Sequence, residues 1–550
     1  MAGLIGIGQS ALSAAYAQLQ TTGHNIANVN TPGYVRQEAI LETAGGMYTG
    51  AGFIGRGVNV ADVARRYDQF VAREVTNTTS LAAGDAARAQ ALGRLDSLLA
   101  DTDQGLGVAI DDLRAAVGDL VNRPADASTR EVVIRRADAL AERFRATSSQ
   151  LQSLGADSER RLVDMVEQVN GKLEAVADLN QQITATQGTG KQPSGLLDQR
   201  DKLVDEVAGS LQVTRLAQAD GSISLHSAAG HALVLGRSAN KLVTHADPLD
   251  AGKLQIGFQV SGTRIAADAA ALGTGEIAGL LRFRDQDLAS AQARVGQLAA
   301  AVAGAYNAQQ ARGVDAQGNA GAALFGATTA QASGAAGNSG NLVLEVSVAD
   351  PARLRPTDYR LAFDGSQYQL ESLADGRVVS LASLPATIDG LRLGVASGAM
   401  TIGDRITIKG ASGFAAQMRL NLADGSGLAA GDGSSAAPNA DATTAAADNR
   451  NARAMVALGG QGLVDGATFT DAFASLVADV GSRTLQGQAA TQASSALLSN
   501  ANASFAAESG VNLDEEAARL LQYQQAYQAA ARVIATANSM FDTILSVVSR

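Results

Sequence analysis

Residues 511–550 read VNLDEEAARLLQYQQAYQAAARVIATANSMFDTILSVVSR, and few runs in the chain are as well specified as this terminal one. Leu513, Ala517, Leu520, Gln524, Tyr527, Ala531, Ile534, Asn538, Phe541, Leu545 and Val548 recur at alternating spacings of four and three. A stripe repeating every 3.5 residues is the seam of a helix that lies along another helix. Ala, Gln, Glu and Arg fill the other faces and favour helix, and neither Gly nor Pro interrupts the run. Asn512 is placed to cap the helix, with Asp514, Glu515 and Glu516 in the first turn, where the dipole favours negative charge. A terminal helix frays unless something docks it.

Its partner is expected at the other end of the chain. Leu4, Gly8, Ala11 or Leu12, Ala15, Leu19, Thr22 and Ile26 follow the same four-and-three pattern among small residues. Gly3, Gly6 and Gly8 weaken the first turns of that helix before it docks. Pro32 disfavours helix at Thr31 and Pro32-Gly33 is a turn signal, so the helix ends near Asn30. From Tyr34 to Val63 alternating, Gly-punctuated segments predict short strands or an extended arm.

The interior alternates between two periods. Residues from Tyr67 to Ile183 read as helix, with breaks at Gly105-Leu106-Gly107 and Asn122-Arg123-Pro124. The strongest seam runs through Leu140, Phe144, Leu151, Leu162, Val169, Leu173, Val176 and Ile183. The run Asp198-Gln199-Arg200-Asp201-Lys202 reads as charges on a solvated helix face, with Asp198 pairing to Lys202. From Leu211 to Ala266 the period falls to two, and Asp220-Gly221 is a hairpin signal. Helix returns from Gly275 to Gln310, and the Gly/Ala/Asn-rich stretch 311–340 reads as a linker. A second β region follows, with candidate strands at Leu342–Val348, Tyr359–Phe363, Tyr368–Leu370, Leu391–Val395 and Arg405–Ile408. A low-complexity run then leads back to helix near Asn449.

The fold expected is mainly α with inserted β domains: the terminal helices pair as a coiled coil, a long helical bundle lies in the middle, and β domains project outward. The units are 1–66 with 500–550 (inner), 67–210 (bundle), 211–266 (β-hairpin insert), 267–335 (helices returning to the bundle), 336–425 (outer β domain), 426–448 (linker) and 449–499 (bundle).

Composition narrows the function. A chain of 550 residues has room for several domains. With no Cys there is no disulfide framework, thiolate metal site or Cys nucleophile, and four His leave little material for a histidine-based site. His24, His226, His231 and His245 show no metal-ligand spacing. A formal net charge of −11 argues against nucleic-acid binding. No run of about 18 apolar residues is present, and no Lys or Arg precedes Arg36, so neither membrane insertion nor a cleaved signal peptide is expected. Gly3 to Gly8 and Gly52 to Gly57 do not sit in a strand–helix context that would bind a dinucleotide. No cofactor, metal or catalytic site is expected.

The segment Ala27-Asn28-Val29-Asn30-Thr31-Pro32-Gly33-Tyr34 resembles the N-terminal signature of bacterial flagellar rod, hook and hook-associated proteins, and Ser509 to Glu516 with Tyr523 to Tyr527 resembles their C-terminal signature. Internal segments at Gly195–Val204, Gly279–Leu288 and Asp448–Ala452, together with the length, resemble the hook–filament junction branch of that group. The resemblance implies a non-enzymatic structural subunit of the flagellum, exported through the flagellar type III channel. It also implies terminal helices that are disordered before assembly and form an inner coiled-coil tube. Its partners would be copies of itself, the hook protein, hook-associated protein 3 and an export chaperone bound to the C-terminal helix. The assembly residues would be Leu12, Leu19, Ile26, Leu513, Leu520, Tyr527, Ile534 and Phe541, with Ala27, Asn28, Thr31, Pro32, Gly33 and Tyr34 shaping the turn. Alternatives are another axial protein of hook or hook-associated protein 3 type, an enzyme with a pocket in a β region, and a secreted coiled-coil adhesin.

Overall fold

The computed structural model describes residues 2–49, 52–100, 105–188, 192–260, 262–327, 329–433 and 446–548. Helix α1 (Ala2–Asn28) leads through the Pro32-Gly33 turn, where Gly33 takes φ +83°, into a two-stranded ribbon. Strand β1 (Gln37–Thr43) pairs antiparallel with β4 (Val58–Arg65), and β2 (Gly46–Thr49) with β3 (Gly52–Gly55) continues it outward. The extended arm expected there is this ribbon, and it lies along α1.

The body is helical. Helices α2 (Gln69–Leu99), α3 (Leu106–Asn122), α4 (Ala127–Gln187) and α5 (Ser194–Ser210) follow in order. At 61 residues, α4 is about 90 Å long. Asp126 caps it by accepting from the Thr129 amide, and every seam residue from Leu140 to Ile183 named above is buried. Its polar residues face water on the other side, so one periodic stripe is enough to seat α3 and α5 against it. Leu95, Leu113, Leu120, Phe144 and Leu162 are fully covered in the resulting core.

The β segment after α5 does not project. Strands β5 (Val213–Ala217), β6 (Ile223–Ser227), β7 (Ala232–Leu235) and β8 (Ser238–Ala239) form one antiparallel sheet. Strands β9 (Lys241–Asp247), β10 (Asp250–Val260) and β11 (Thr263–Ala267) form a second. Both lie along α4, and two asparagines of that helix hold them. Asn180 donates to Ile223 and Gly236 carbonyls and accepts from Ile223 N–H, while Asn170 brackets both backbone groups of Leu242. A hairpin signal does not reveal that one sheet face is covered; Leu225, Ile256 and Phe258 bury that face in the helical core. The expected turn at Asp220-Gly221 joins β5 to β6, with Gly221 at φ +80°.

Short helices α6 (Ala269–Leu272) and α7 (Glu276–Arg282) lead through a π-turn at Phe283–Leu288 into α8 (Ala289–Gln310). The stretch read as a linker is structured. Strand β12 (Gly313–Val314) pairs with β21 (Gly431–Asp432), and β13 (Thr329–Gly334) is a central strand of the outer sheet. That sheet is antiparallel and eight-stranded. Its members are β13, β14 (Val343–Val348), β15 (Tyr359–Phe363), β16 (Tyr368–Ser372), β17 (Val378–Leu381), β18 (Ala386–Ile388), β19 (Leu391–Ser397) and β20 (Arg405–Lys409). Their order is β17-β16-β15-β20-β13-β14-β19-β18, around a core of its own that includes Tyr359, Leu361, Leu393, Ile408 and Phe414. All five expected strands are present. Asp364-Gly365 and Asp375-Gly376 turn β15 into β16 and β16 into β17.

Of the connector expected over 426–448, residues 434–445 lie outside the described residues. Leu428, Ala429 and Ala430 are fully buried, so its first part is packed. After α9 (Phe414–Gln417) come α10 (Arg450–Leu458), α11 (Phe469–Ser509), which runs back along α2, and α12 (Leu513–Val548), which runs along α1. Among the described residues no helix is long and apolar enough to cross a membrane.

Candidate assembly interface

The two chain ends meet along α1 and α12. Asn512 caps α12 through its side-chain oxygen, which accepts from the amides of Asp514 and Glu515. The inward positions of α12 are Glu516, Leu520, Tyr523, Tyr527, Ala530, Ile534 and Ala537, again at spacings of four and three. Only Leu520, Tyr527 and Ile534 belong to the stripe read from the sequence. Leu513 and Phe541, expected in the seam, are exposed, as are Gln524 and Asn538. For Leu513, Gln524 and Asn538 the reason is that two 3.5-residue stripes overlap on this helix and share Leu520, Tyr527 and Ile534. Phe541, four residues past Ala537, lies in line with both stripes but two turns beyond the Gly8–Ile534 contact, at the end of α1. The partner helix selects the stripe that carries Ala530 and Ala537, because α1 approaches closely there. A Cβ on Gly8 would lie 2.7 Å from Ile534 Cγ1, so the glycine that weakens α1 is what admits Ile534. On α1, Leu12, Leu19 and Ile26 are half-buried, and Ala14, Ala15, Thr21 and Thr22 are buried.

At the base of this pair the two terminal signatures converge on one side chain. Asn25, 1 % exposed, donates to the Gln37 carbonyl at 2.9 Å and to Glu516 Oε2 at 3.0 Å. Its oxygen accepts from the Gln37 amide at 3.0 Å and from the Tyr34 hydroxyl at 2.7 Å. All four hydrogen-bonding valences of a buried amide are therefore used. Arg36 Nε donates to Glu516 Oε1 at 2.8 Å and Nη1 to Glu515 Oε2 at 3.1 Å, while the Arg36 amide donates to the Ser509 carbonyl. Burial, then the Asp198 and Glu516 charges, raise the Tyr34 phenol. Asn28 accepts from Thr31 Oγ1 and donates to the His24 carbonyl, closing the helix end; Ala27, Pro32 and Gly33 are exposed around the turn. Asn25 and Arg36 flank the signature that was read from sequence, and nothing in their spacing announces that both address a residue some 480 positions away.

A second polar cluster joins the ribbon to the body. The charge run at Asp198–Lys202 is not a solvated face. Arg65, at the end of β4, pairs with Asp198 and Asp201, each at 2.8 Å, and lies over the Tyr67 ring at 4.7 Å. Arg215 of β5 binds Asp201 at 3.1 Å and also bonds Tyr67 Oη and Thr76 Oγ1. Arg200 reaches the Gly221 carbonyl, and Lys202 packs on Gly33 instead of pairing with Asp198. The i,i+4 pairing fails because ribbon and β5 bring arginines to the inner face of α5, where a carboxylate left alone would be costly. Burial pushes Asp198 up to about 6, against the lowering effect of Arg65, and pushes Tyr67 up to about 12.

Asp205 belongs to the same face. Burial raises it to about 6, while the Thr76 hydroxyl, which it accepts at 2.8 Å, and Arg215 pull the other way. The folded protein thus holds this proton more tightly than the unfolded chain, whose Asp titrates near 4. The contribution to stability is complete below about pH 4 and is lost as pH climbs through about 6. Asp205→Asn keeps an acceptor for Thr76 and is expected to raise unfolding free energy at pH 7.5 by about 1–3 kcal/mol, with little effect at pH 4. Urea titrations at both pH values check it; equal gains at the two would remove burial of the charge as the cause.

The family of the flagellar hook-associated protein FlgK helical domain matches residues 92–325, and that of the hook-associated protein 1 D2-like domain matches 333–410. The ends match the flagella basal body rod protein family (5–34) and the flagellar basal body rod FlgEFG protein C-terminal family (502–547). Flagellar hook-associated protein 1 of Salmonella typhimurium is 33 % identical over 557 residues, spanning 100 % of both chains. That of Escherichia coli K12 is 32 % identical over 559 residues with the same coverage. The flagellar hook junction protein FlgK of Burkholderia pseudomallei has the same fold, with a TM-score of 0.72 over 78 % of this chain and 98 % of its own at 24 % identity. With its full length aligned to such relatives, the chain belongs to the flagellar hook-associated protein 1 family.

Proposed function

We propose that this chain is a non-enzymatic structural subunit at the hook–filament junction of the bacterial flagellum. In this reading it leaves the cell through the flagellar type III channel and joins copies of itself, the hook protein and hook-associated protein 3. An export chaperone would hold the α12 segment beforehand. The inner unit is 1–66 with 500–550; the body and the outer β unit, which begins at β13 near residue 329 and not at 336, are displayed around it. The observation that carries the reading is the set of exposed large apolar side chains on α12. Leu513 and Leu521 near its start and Met540, Phe541, Ile544 and Leu545 near its end are each about half exposed although the helix packs on α1. An exposed apolar surface of that kind marks a site that meets protein. Neighbouring copies would cover it, so Leu513 and Phe541 act between chains while Leu520, Tyr527 and Ile534 act within one.

Beyond its polar base, the fully buried part of the α1–α12 contact is alanines, threonines and one glycine. Its larger side chains, Leu12, Leu19, Ile26, Leu520, Tyr527 and Ile534, are only half-buried, so within one chain it removes a limited apolar surface from water. Ordering two helices of 27 and 36 residues against that contact is marginal until neighbours add theirs. Amide exchange on the isolated chain is expected to be fast over 2–28 and 513–548 and slow over 131–183. Protected ends would instead favour a self-contained coiled-coil adhesin. Phe541→Ser with Leu545→Ser should leave the melting temperature of the isolated body unchanged, since exposed substitutions alter stability by only about 0.5 kcal/mol. Cells carrying it should make hooks without filaments, and normal filaments would overturn the reading.

A further inference from the structure

The body runs to the end of α11, which packs along α2, so the terminal pair with its ribbon is joined to it by two short runs of backbone, Arg66 to Asp68 and Gly510 to Asn512. Among the described residues the only ion pairs across this joint are those of Arg65. Its side chain, 4 % exposed, spans Asp198 and Asp201, one turn apart on α5. Asp198 also accepts from the Val35 amide. Gln37, two residues further on, stands opposite Arg65 in the β1–β4 ladder, so one carboxylate holds both strands at the base of the ribbon. The other bonds from β4 to the body are long: the Arg65 amide to Gln192 Oε1 at 3.3 Å and Ser194 Oγ to the Val63 carbonyl at 3.5 Å. The Arg36 amide donates to the Ser509 carbonyl, but beside the hinge run itself, where a bond marks the pivot without bracing it.

The other flank of the joint is open. A groove of about 500 Å³ lies beside the Pro32-Gly33 turn, with Val35, Ala72, Val75 and Phe505 in its wall and Lys202 beside them. It leaves the turn without packing on that side. A joint this small and polar permits relative motion of the units it connects unless something clamps it. The lever is long. At 36 residues α12 extends about 54 Å from the base. A tilt of about 10° at the joint therefore moves its far end by about 9 Å, the full spacing of two packed helices. We propose that Arg65 and Asp198 are positioning residues, which fix the angle at which the terminal pair leaves the body and so aim the exposed side chains of α12 at neighbouring copies. With the clamp open, the terminal pair swings toward the groove. This rests on the chain being a polymerising flagellar subunit.

The chain has no Cys, so an introduced pair reports cleanly. Pro32→Cys on the turn and Asn502→Cys on α11 are both exposed and both line the groove. The double variant is produced in flagellated cells lacking their own copy of the chain, and isolated flagella are oxidised mildly. The disulfide within one chain is read as a monomer of altered mobility on a non-reducing immunoblot. Arg65→Gln is expected to raise its rate of formation at least several-fold, and Asp198→Asn, which removes one of the two pairs, by less. Gly279→Ala, a packing change against Gly84 in the body, controls for general loosening and should leave the rate unchanged. An unchanged rate in both joint variants, or an equal rise in Gly279→Ala, would overturn the clamp while leaving the subunit assignment intact. Where Arg65→Gln keeps the chain out of the flagellum, the rate in Asp198→Asn decides in the same way. Where Pro32→Cys blocks assembly, Gly33→Cys with Lys202→Cys replaces the pair. A Cβ on Gly33 would lie 3.4 Å from Lys202 Cβ, within disulfide reach, so the clamped joint holds this pair ready and opening the clamp should slow its oxidation. Absence of the unsubstituted chain from flagella, read by mass spectrometry, would instead sink the subunit assignment.

Discussion

Glu516→Ala is expected to detach the terminal helices from the ribbon at a cost near 3 kcal/mol. Glu516 and Arg36 have side chains 1 % and 6 % exposed. Removing one partner of a buried pair leaves the other charged and unpaired, which costs about 3–5 kcal/mol. Two further facts set the size here. Asn25 loses the acceptor of one of its donated bonds, which adds to the loss. Glu515, already 3.1 Å from Arg36, can take over part of the charge, which holds the loss toward the lower end. Glu516→Gln keeps a side chain of the same shape and an oxygen for Asn25, so its loss should be smaller. Glu515→Ala removes a carboxylate that is 47 % exposed and should change stability by less than about 1 kcal/mol. Because the terminal helices order only once neighbours are in place, the readout is taken on assembled flagella, and it is local to the base of the inner unit. Limited proteolysis at residues 29–36 should accelerate about a hundredfold for Glu516→Ala and hardly at all for Glu515→Ala. Equal acceleration in the two would mean that the pair does not hold the base together.

Gly279→Ala is expected to destabilise the body by about 3 kcal/mol, against the sign of helix propensity. In an open helix this change gains about 1 kcal/mol. Here α7 crosses α2 backbone to backbone. A Cβ on Gly279 would lie 2.2 Å from the Gly84 carbonyl oxygen, and one on Gly84 would lie 2.9 Å from the Gly275 oxygen. Neither obstacle is a flexible side chain. The crossing is pinned on both sides by Ser80 bonding Thr274 at 2.7 Å, and by Arg88 and Arg483 gripping Asp287 of the π-turn, whose side chain is fully buried. Overpacking commonly costs 1–3 kcal/mol, and a backbone that cannot slide puts this site at the upper end or beyond. The melting temperature should fall by about 5–10 °C. Gly171→Ala in α4 is the control: nothing lies within 4 Å of its Cβ, and it should stabilise by up to about 1 kcal/mol. A Gly279→Ala protein as stable as Gly171→Ala would show that the helices can separate freely.

The pattern of local elements was legible in the chain itself, because periodicity, caps and turn residues are properties of neighbours in sequence. The seam of α4, the Asn512 cap and the turns at Asp220-Gly221 and Asp364-Gly365 are of this kind, and so are the two signatures that mark the family. Strand β13 was not legible. Its residues, TAQASG, alternate only through the small Ala330 and Ala332, and it is a strand because β14 pairs with its first two residues and β20 with the rest. What only the tertiary structure decided is which surfaces meet. A 3.5-residue repeat on α12 contains two overlapping stripes, and the choice between them lies with Gly8 on another helix. A run of charges on α5 says nothing of burial until Arg65 and Arg215 arrive from other elements to pair with it. Local sequence sets which elements form, since their energetics involve residues within a turn or two. The assembly surface depends on close approach and charge pairing between segments more than 500 residues apart, and only the folded chain brings those together.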